Sequence, residues 1–513
     1  MSKANFKNDE KGIGTLYVDG KPFFLRSGEI HNSSASTLAE MENQIWPQVR
    51  ELNLNSLIVP IYWECIEPEE GKYDFGLVDG IINQAKNEGK KLVFLWFGLW
   101  KNAESMYVPS WIKSNSDKFF LAQKVNGDKI NTVSPLCHEA IEADKKAFSA
   151  IMAHIKSIDE NDCTVIAMQV ENEIGLLGTA RDYSDKANKL FKENVPDEIA
   201  KLYDISGDWK SAFGDDAEEF FMAYHFAKAV EEITAAGQKE YDLPCYTNAW
   251  LKQYPWIAGT YPSGGPNKSV HKIWKAMAPS LFALAPDVYV PFCADVMDEY
   301  TYDGNPLFIP EIRKDAVASS YALYAQLHHH AICFSPFGIE ELALDSELVD
   351  KPPMEVMIAL NIDPSAFDTR GSKEALAATY KLLENLEPLY LQYRGTDKLQ
   401  SFVRHGEYDF GCLVRCKEYD FKVGYSPRMS GKPLGSFNLF ELEDNKFLII
   451  GLECSVDFNV KIGENKKAGI IKLEAGHIEN GEFISDKLLN GDEKMSIRCG
   501  SIPSVYMLEL YKY

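Results

Sequence analysis

Glu171, Asn172 and Glu173 end the run Val165-Ile166-Ala167-Met168-Gln169-Val170, and Ile174 and Gly175 follow them. A largely apolar, β-favouring run that closes on two carboxylates and an amide reads as a buried parallel strand whose C-terminal tip opens into a site. A buried carboxylate needs a partner, because desolvating it alone is costly. Alternation along a strand puts Glu171 and Glu173 on one face and Asn172 on the other unless a bulge intervenes. The plainer reading is a strand end that caps the next helix. A second run weighs against it, since Pro306-Leu307-Phe308-Ile309-Pro310 closes in the same way on Glu311. Two glutamates at the tips of two buried strands suit glycoside hydrolysis. One protonates the leaving oxygen, and the other attacks the anomeric carbon or activates water.

Other polar side chains cluster at strand tips. Glu29, His31 and Asn32 close the first strand, and Trp63 and Glu64 the second. The third is followed by Trp96, Trp100, Lys101 and Asn102, and the fifth by Asn248 and Trp250. Groups this dense at one mouth bind substrate or orient the catalytic acids. Tyr289, on the sixth strand, either holds a neighbouring carboxylate ionised by hydrogen bonding or is an ordinary core tyrosine. Glu340 and Glu341 read as solvated charges at a helix start. Two metal-like signals are discounted. His328-His329-His330 are consecutive and fan out on a helix, and Cys412 and Cys416 lack the second pair of a structural zinc site. No P-loop, dinucleotide fingerprint or nucleophile elbow is present.

The elements that must position these residues alternate from Lys21 to about Pro336. Strands are expected at Phe23–Ile30, Ser56–Tyr62, Lys91–Phe97, Thr164–Val170, Leu243–Asn248, Asp287–Phe292, Pro306–Pro310 and Ala331–Ser335. Helical faces fall between them, as with Val78, Ile81, Ile82 and Ala85. Eight strands alternating with helices predict an α/β fold, the (β/α)₈ TIM barrel. Two connections are too long for plain barrel loops: the charged segment Leu176–Gly214 and the aromatic segment Ala249–Ala285. Both are expected over the C-terminal face, narrowing the mouth to a pocket for a chain end; the alternative is that they pack on their own helices, away from the site, and leave an open cleft. Beyond Gln392 the pattern turns to alternating strands such as Phe447–Leu452, Gly469–Leu473 and Ser504–Leu510. Residues 1–392 therefore read as a catalytic barrel, and 393–513 as a C-terminal β-sandwich accessory domain.

A net charge of −23 argues against nucleic acid or an anionic membrane as partner. The first ten residues hold no apolar signal-peptide core, and no stretch of about twenty residues is apolar enough to span a bilayer. The ten cysteines are scattered through apolar runs as reduced core residues. A cytoplasmic protein is the simplest account, and assembly into a homo-oligomer is left open.

Gln169-Val170-Glu171-Asn172-Glu173-Ile174-Gly175 resembles the acid/base motif of the glycoside hydrolase family 35 β-galactosidases, in the clan of retaining barrels. The likeness continues in order through Ser27-Gly28-Glu29-Ile30-His31-Asn32, Tyr62-Trp63-Glu64-Cys65-Ile66-Glu67-Pro68 and Gly71-Lys72-Tyr73-Asp74-Phe75. It implies that Glu173 is the acid/base, Glu311 the nucleophile and Asn172 a ligand of the sugar 2-hydroxyl. It further implies a retaining exo-β-galactosidase acting on oligosaccharides, with no cofactor. At Lys101-Asn102 the chain departs from animal and fungal members, which carry Ala-Glu there, and resembles a bacterial subgroup with a different C-terminal β domain. Alternatives are the same chemistry on an arabinopyranoside, glucosaminide or fucoside, a carbohydrate-binding barrel without turnover, or a lyase or aldolase, the last needing a Schiff-base lysine that only Lys101 approaches.

Overall fold

The computed structural model describes residues 4–513; Met1, Ser2 and Lys3, part of the stretch read above for a leader, lie outside them. One parallel sheet holds β1 (Leu25–Arg26), β2 (Ser56–Tyr62), β3 (Lys91–Lys101), β4 (Val165–Asn172), β5 (Cys245–Trp250), β6 (Leu281–Val288), β7 (Phe308–Ile312) and β8 (Cys333–Pro336). Neighbours follow chain order from β2 to β8, and β8 pairs with β1. Glu29, just past β1, bridges both Ile58 on β2 and Phe337 after β8, and so closes the ring. The fold is the expected (β/α)₈ barrel. Every residue of β2 and β4 is buried, which is why their sequences read as continuous runs instead of alternating ones. Helix Gly76–Asn87 buries Val78, Ile81, Ile82 and Ala85, the face set by the 3.6-residue period.

One strand is displaced from its expected place. The chain pairs along Leu281–Val288, with Trp250 opposite Asp287 and Asp287 opposite Glu311. Asp287 therefore ends β6 instead of starting it, and Tyr289 lies one residue beyond the strand. The apolar run continues past the true strand end through Val290 and Phe292, which disguises the boundary.

Two antiparallel sheets follow helix Ser372–Tyr393. The six-stranded sheet includes Leu399–Val403, Ser436–Glu443, Lys446–Leu452 and Ser504–Lys512; the four-stranded sheet includes Tyr419–Tyr425 and Cys454–Val460. Phe437, Leu439, Phe447 and Ile449 point into the core between the sheets. Their neighbours Phe440, Leu448, Ile450 and Leu452 join the core of the barrel instead. Period-2 alternation thus seats the larger sheet between a sandwich core and the barrel helices. Among the described residues no helix is long and apolar enough to cross a membrane.

Candidate active site

At the C-terminal ends of the strands lies a cavity of about 610 Å³, into which Glu173, Asp287 and Glu311 project. The tip of β4 is bent to put Glu173 there. Glu171 and Glu173 both take positive φ, 62° and 45°, a conformation uncommon for residues with a side chain and concentrated at functional sites. The bend breaks the strand alternation, so the expectation that Glu171 and Glu173 share a face does not hold. Glu171 turns away, accepting the N–H groups of Leu99 (3.2 Å) and Trp100 (2.6 Å). Burial and the neighbouring Asp144 push its carboxyl well above the usual range.

Glu311 is held by three side-chain donors. It accepts from Asn172 Nδ2 at 3.2 Å, Asn248 Nδ2 at 3.3 Å and the Tyr289 hydroxyl at 3.0 Å. Asn248 also donates to Asp287 at 2.8 Å and accepts the backbone N–H of Glu173 at 2.9 Å. One amide therefore ties together the tips of β4, β5, β6 and β7. Asn102 donates to Glu173. It reaches there because β3 bulges, its six residues from Trp96 to Lys101 running opposite only the three from Val170 to Asn172.

Charge is crowded. Burial, and then the charge of Glu311, raise the Glu173 carboxyl to about 7, while Lys101, Asp287 and Asn102 restrain the rise. Asp287 and Glu29 are pushed well above the carboxylate range, first by burial and then by Glu311. One oxygen from each of Glu173, Asp287 and Glu311 lies within 4.8 Å of the others, a spacing at which a cation could be held. Three lysines line the cavity, Lys101, Lys314 and Lys351, and it is the ammonium of Lys101 that favours ionised Glu173.

The structure brings His31, Asn32, Lys101, Asn102, Glu173, Trp250, Tyr289 and Glu311 to the cavity wall, with Glu29, Asn172 and Asn248 buried directly against them. It does not bring three others. Trp63 is buried behind the barrel mouth, donating to Glu67 at 2.8 Å. Trp96 donates to Asp144 at 2.7 Å in the core, since β3 continues five residues past it. Glu64 faces out and pairs with Lys113 at 2.9 Å. Of the three histidines, His328 and His329 lie side by side with ring centroids 4.7 Å apart and, with Asp298, bring ligand atoms within 4.8 Å of one another, while His330 turns to the Tyr390 hydroxyl at 3.2 Å.

Several residues went unforeseen. Asp287 carries the same sign as the other two acids, an apolar strand closing on a carboxylate, and was legible once the strand is set in register. Glu340 and Glu341 are not solvated. Glu340 accepts the His31 N–H at 3.0 Å and the Ser34 hydroxyl at 2.7 Å. Glu341 joins Lys314 and, at 3.2 Å, His31 at the cavity rim. The outer wall is also not the one expected. No residue of Leu176–Gly214 lines the cavity, because this segment packs on helix Ala217–Glu240 through contacts such as Trp209 on Phe221 (5.4 Å). Of the aromatics in Ala249–Ala285 only Trp250 reaches the cavity, while Tyr261 and Trp274 are buried elsewhere. The wall comes instead from Asp350, Lys351, Pro352, Leu360, Ile362 and Phe367.

Comparison with known proteins agrees with this geometry. Residues 15–244 match the profile of Glycosyl hydrolases family 35, and residues 376–499 that of a domain of unknown function, DUF5597. The chain is 26% identical over 239 residues to a beta-galactosidase of Xanthomonas manihotis, a match covering 39% of this chain and 35% of the relative. It is 27% identical over 206 residues to beta-galactosidase 14 of Arabidopsis thaliana, covering 37% of this chain and 21% of that one. The chain thus spans about a third or less of these relatives. Among solved structures it is similar to the catalytic domain of a beta-amylase from Paenibacillus polymyxa, with TM-score 0.48 and 11% identity over 62% of this chain and 92% of the other. Residues 15–244, which carry Glu173 but not Asp287 or Glu311, are thus similar to glycosyl hydrolases family 35, and both relatives are beta-galactosidases.

Proposed function

We propose that the chain is a retaining exo-β-galactosidase, removing terminal β-D-galactosyl residues from oligosaccharides by double displacement. The observation that carries this reading is the approach of the Glu173 and Glu311 carboxylate oxygens to within 4.8 Å. That is close to the separation of retaining glycosidases and too short for an inverting pair with a water between them. Glu311 attacks the anomeric carbon and forms a glycosyl-enzyme. Glu173, protonated, hands its proton to the leaving oxygen and then, as carboxylate, takes one from the incoming water. Asn172 donates to Glu311 at 3.2 Å, and its amide is the group assigned to the 2-hydroxyl of the sugar.

The galactosyl preference rests on the names of the two relatives, and the exo mode on a walled cavity whose size suits a small glycoside. The described cysteines form no disulfides, as in a reducing compartment, which supports action in the cytoplasm. A panel of nitrophenyl glycosides, read by proton NMR during turnover, tests the proposal. The β-galactoside should be cleaved fastest and the β-anomer of the free sugar should appear first. First appearance of the α-anomer, or preference for a different glycoside, would overturn mechanism or specificity respectively.

A further inference from the structure

The cavity wall that the barrel strands do not supply, residues 350–367, is held from two sides. On its inner side the Asp363 N–H donates to the Tyr289 carbonyl and the Lys314 N–H to the Ala366 carbonyl, both at 3.0 Å. Phe367 stacks on Tyr289 with ring centroids 5.9 Å apart, and it is Tyr289 that donates to Glu311. On its outer side the Asp363 carboxylate takes Arg313 at 2.9 Å and Arg428 at 3.0 Å. Arg428 also donates to the Ser365 hydroxyl at 2.9 Å.

Arg313 belongs to the barrel, but Arg428 does not. It sits between strands Tyr419–Tyr425 and Ser436–Glu443 of the C-terminal sheets. Two residues further, Ser430 donates to Asp368 at 2.8 Å and accepts from Arg370 at 2.8 Å. Next to it the backbones touch, and a Cβ on Gly371 would fall 2.3 Å from the Gly431 carbonyl oxygen. Three residues of one C-terminal connection, Arg428, Ser430 and Gly431, thus hold the end of the cavity wall and the turn that follows it.

We infer that the C-terminal domain is part of the substrate site, with Arg428 a positioning residue that fixes the 350–367 wall through Asp363. The inference rests on the reading of the cavity as the sugar site. An exposed ion pair alone contributes little, and Arg428 is half-exposed. Here, however, its acceptor is already ordered by Arg313, which is 1% exposed and held bidentately by Asp315 at 2.7 and 2.8 Å. Arg428 therefore adds a second donor to a fixed carboxylate, and few rotamers are left to freeze.

The test uses the full chain with Arg428→Ala, Arg428→Lys, Asp363→Asn and the Arg428→Ala/Asp363→Asn double variant. Hydrogen–deuterium exchange over peptides covering 354–367 is read beside KM, kcat and the thermal midpoint. Arg428→Ala should speed exchange in that segment and raise KM for nitrophenyl β-galactoside about fivefold, with kcat and midpoint little changed. Arg428→Lys should recover part of the KM, and the double variant should be no worse than Asp363→Asn alone, since both act through one contact. Unchanged exchange, exchange that quickens without any rise in KM, or additive effects would each overturn the inference. A wild-type chain that cleaves no glycoside would instead sink the functional reading, while exchange alone still decides whether Arg428 orders the wall.

Discussion

In the proposed double displacement Glu173 is the acid, tuned by opposing charges around one buried oxygen pair. Burial and Glu311 raise its carboxyl to about 7, and the Lys101 ammonium keeps it from rising further. The sign for turnover follows directly. The acid must carry its proton when the leaving oxygen departs, so kcat/KM should hold below about pH 7 and fall as pH rises through that value. Lys101→Met removes the stabilising charge from the ionised form of Glu173. Its alkaline limb should move to higher pH even as kcat drops, a displacement that loss of a packing contact alone does not produce. A limb that stays in place would show that Glu173 is not the group titrating.

The barrel seam is the element on which the site's rim depends. Gly28 lies there, and a Cβ at that position would fall 2.3 Å from Ile339 Cγ1 and 2.5 Å from its Cβ. The branched carbons cannot swing aside as a flexible tip would. Gly28→Ala should therefore cost about 1–3 kcal/mol of stability, read as a lower midpoint in thermal or urea unfolding. It should also loosen Glu340 and Glu341, which follow Ile339 and hold His31 and Lys314. An unaltered midpoint would mean the seam has room that the structure does not show. The tips carrying Glu173 and Glu311 were legible because strand burial writes itself as an apolar run that breaks on a charge. The reach of β3 past Trp96 was not, since a bulge leaves no periodic mark, and so Trp96 was expected at a mouth it does not reach. Nor was the 350–367 wall, because Leu360, Ile362 and Phe367 look in sequence like any buried apolar residues, and only long-range packing turns them toward the cavity.

Across the whole molecule, strands Ser436–Glu443 and Lys446–Leu452 of the six-stranded sheet are buried on both faces, Phe437 and Leu439 inward to the sandwich and Phe440, Leu448 and Ile450 to the barrel. Neither body can unfold without exposing apolar surface of the other, which is the condition for cooperative unfolding. Calorimetry should show one transition, and fluorescence and far-UV circular dichroism should report the same midpoint in urea. Two separated transitions would mean the shared face contributes little. The same coupling gives the C-terminal sheets a hold on the cavity wall, so that the site belongs to the molecule and not to the barrel alone. Its central claim is that Glu311 becomes covalently bonded to the sugar, and a 2-deoxy-2-fluoro-β-galactoside with a good leaving group tests it most directly. Intact mass and peptide mapping of the inactivated protein should show one fluorogalactosyl group, on Glu311; a label on Glu173, Asp287 or Glu171, or turnover that never leaves a covalent adduct, would contradict the account.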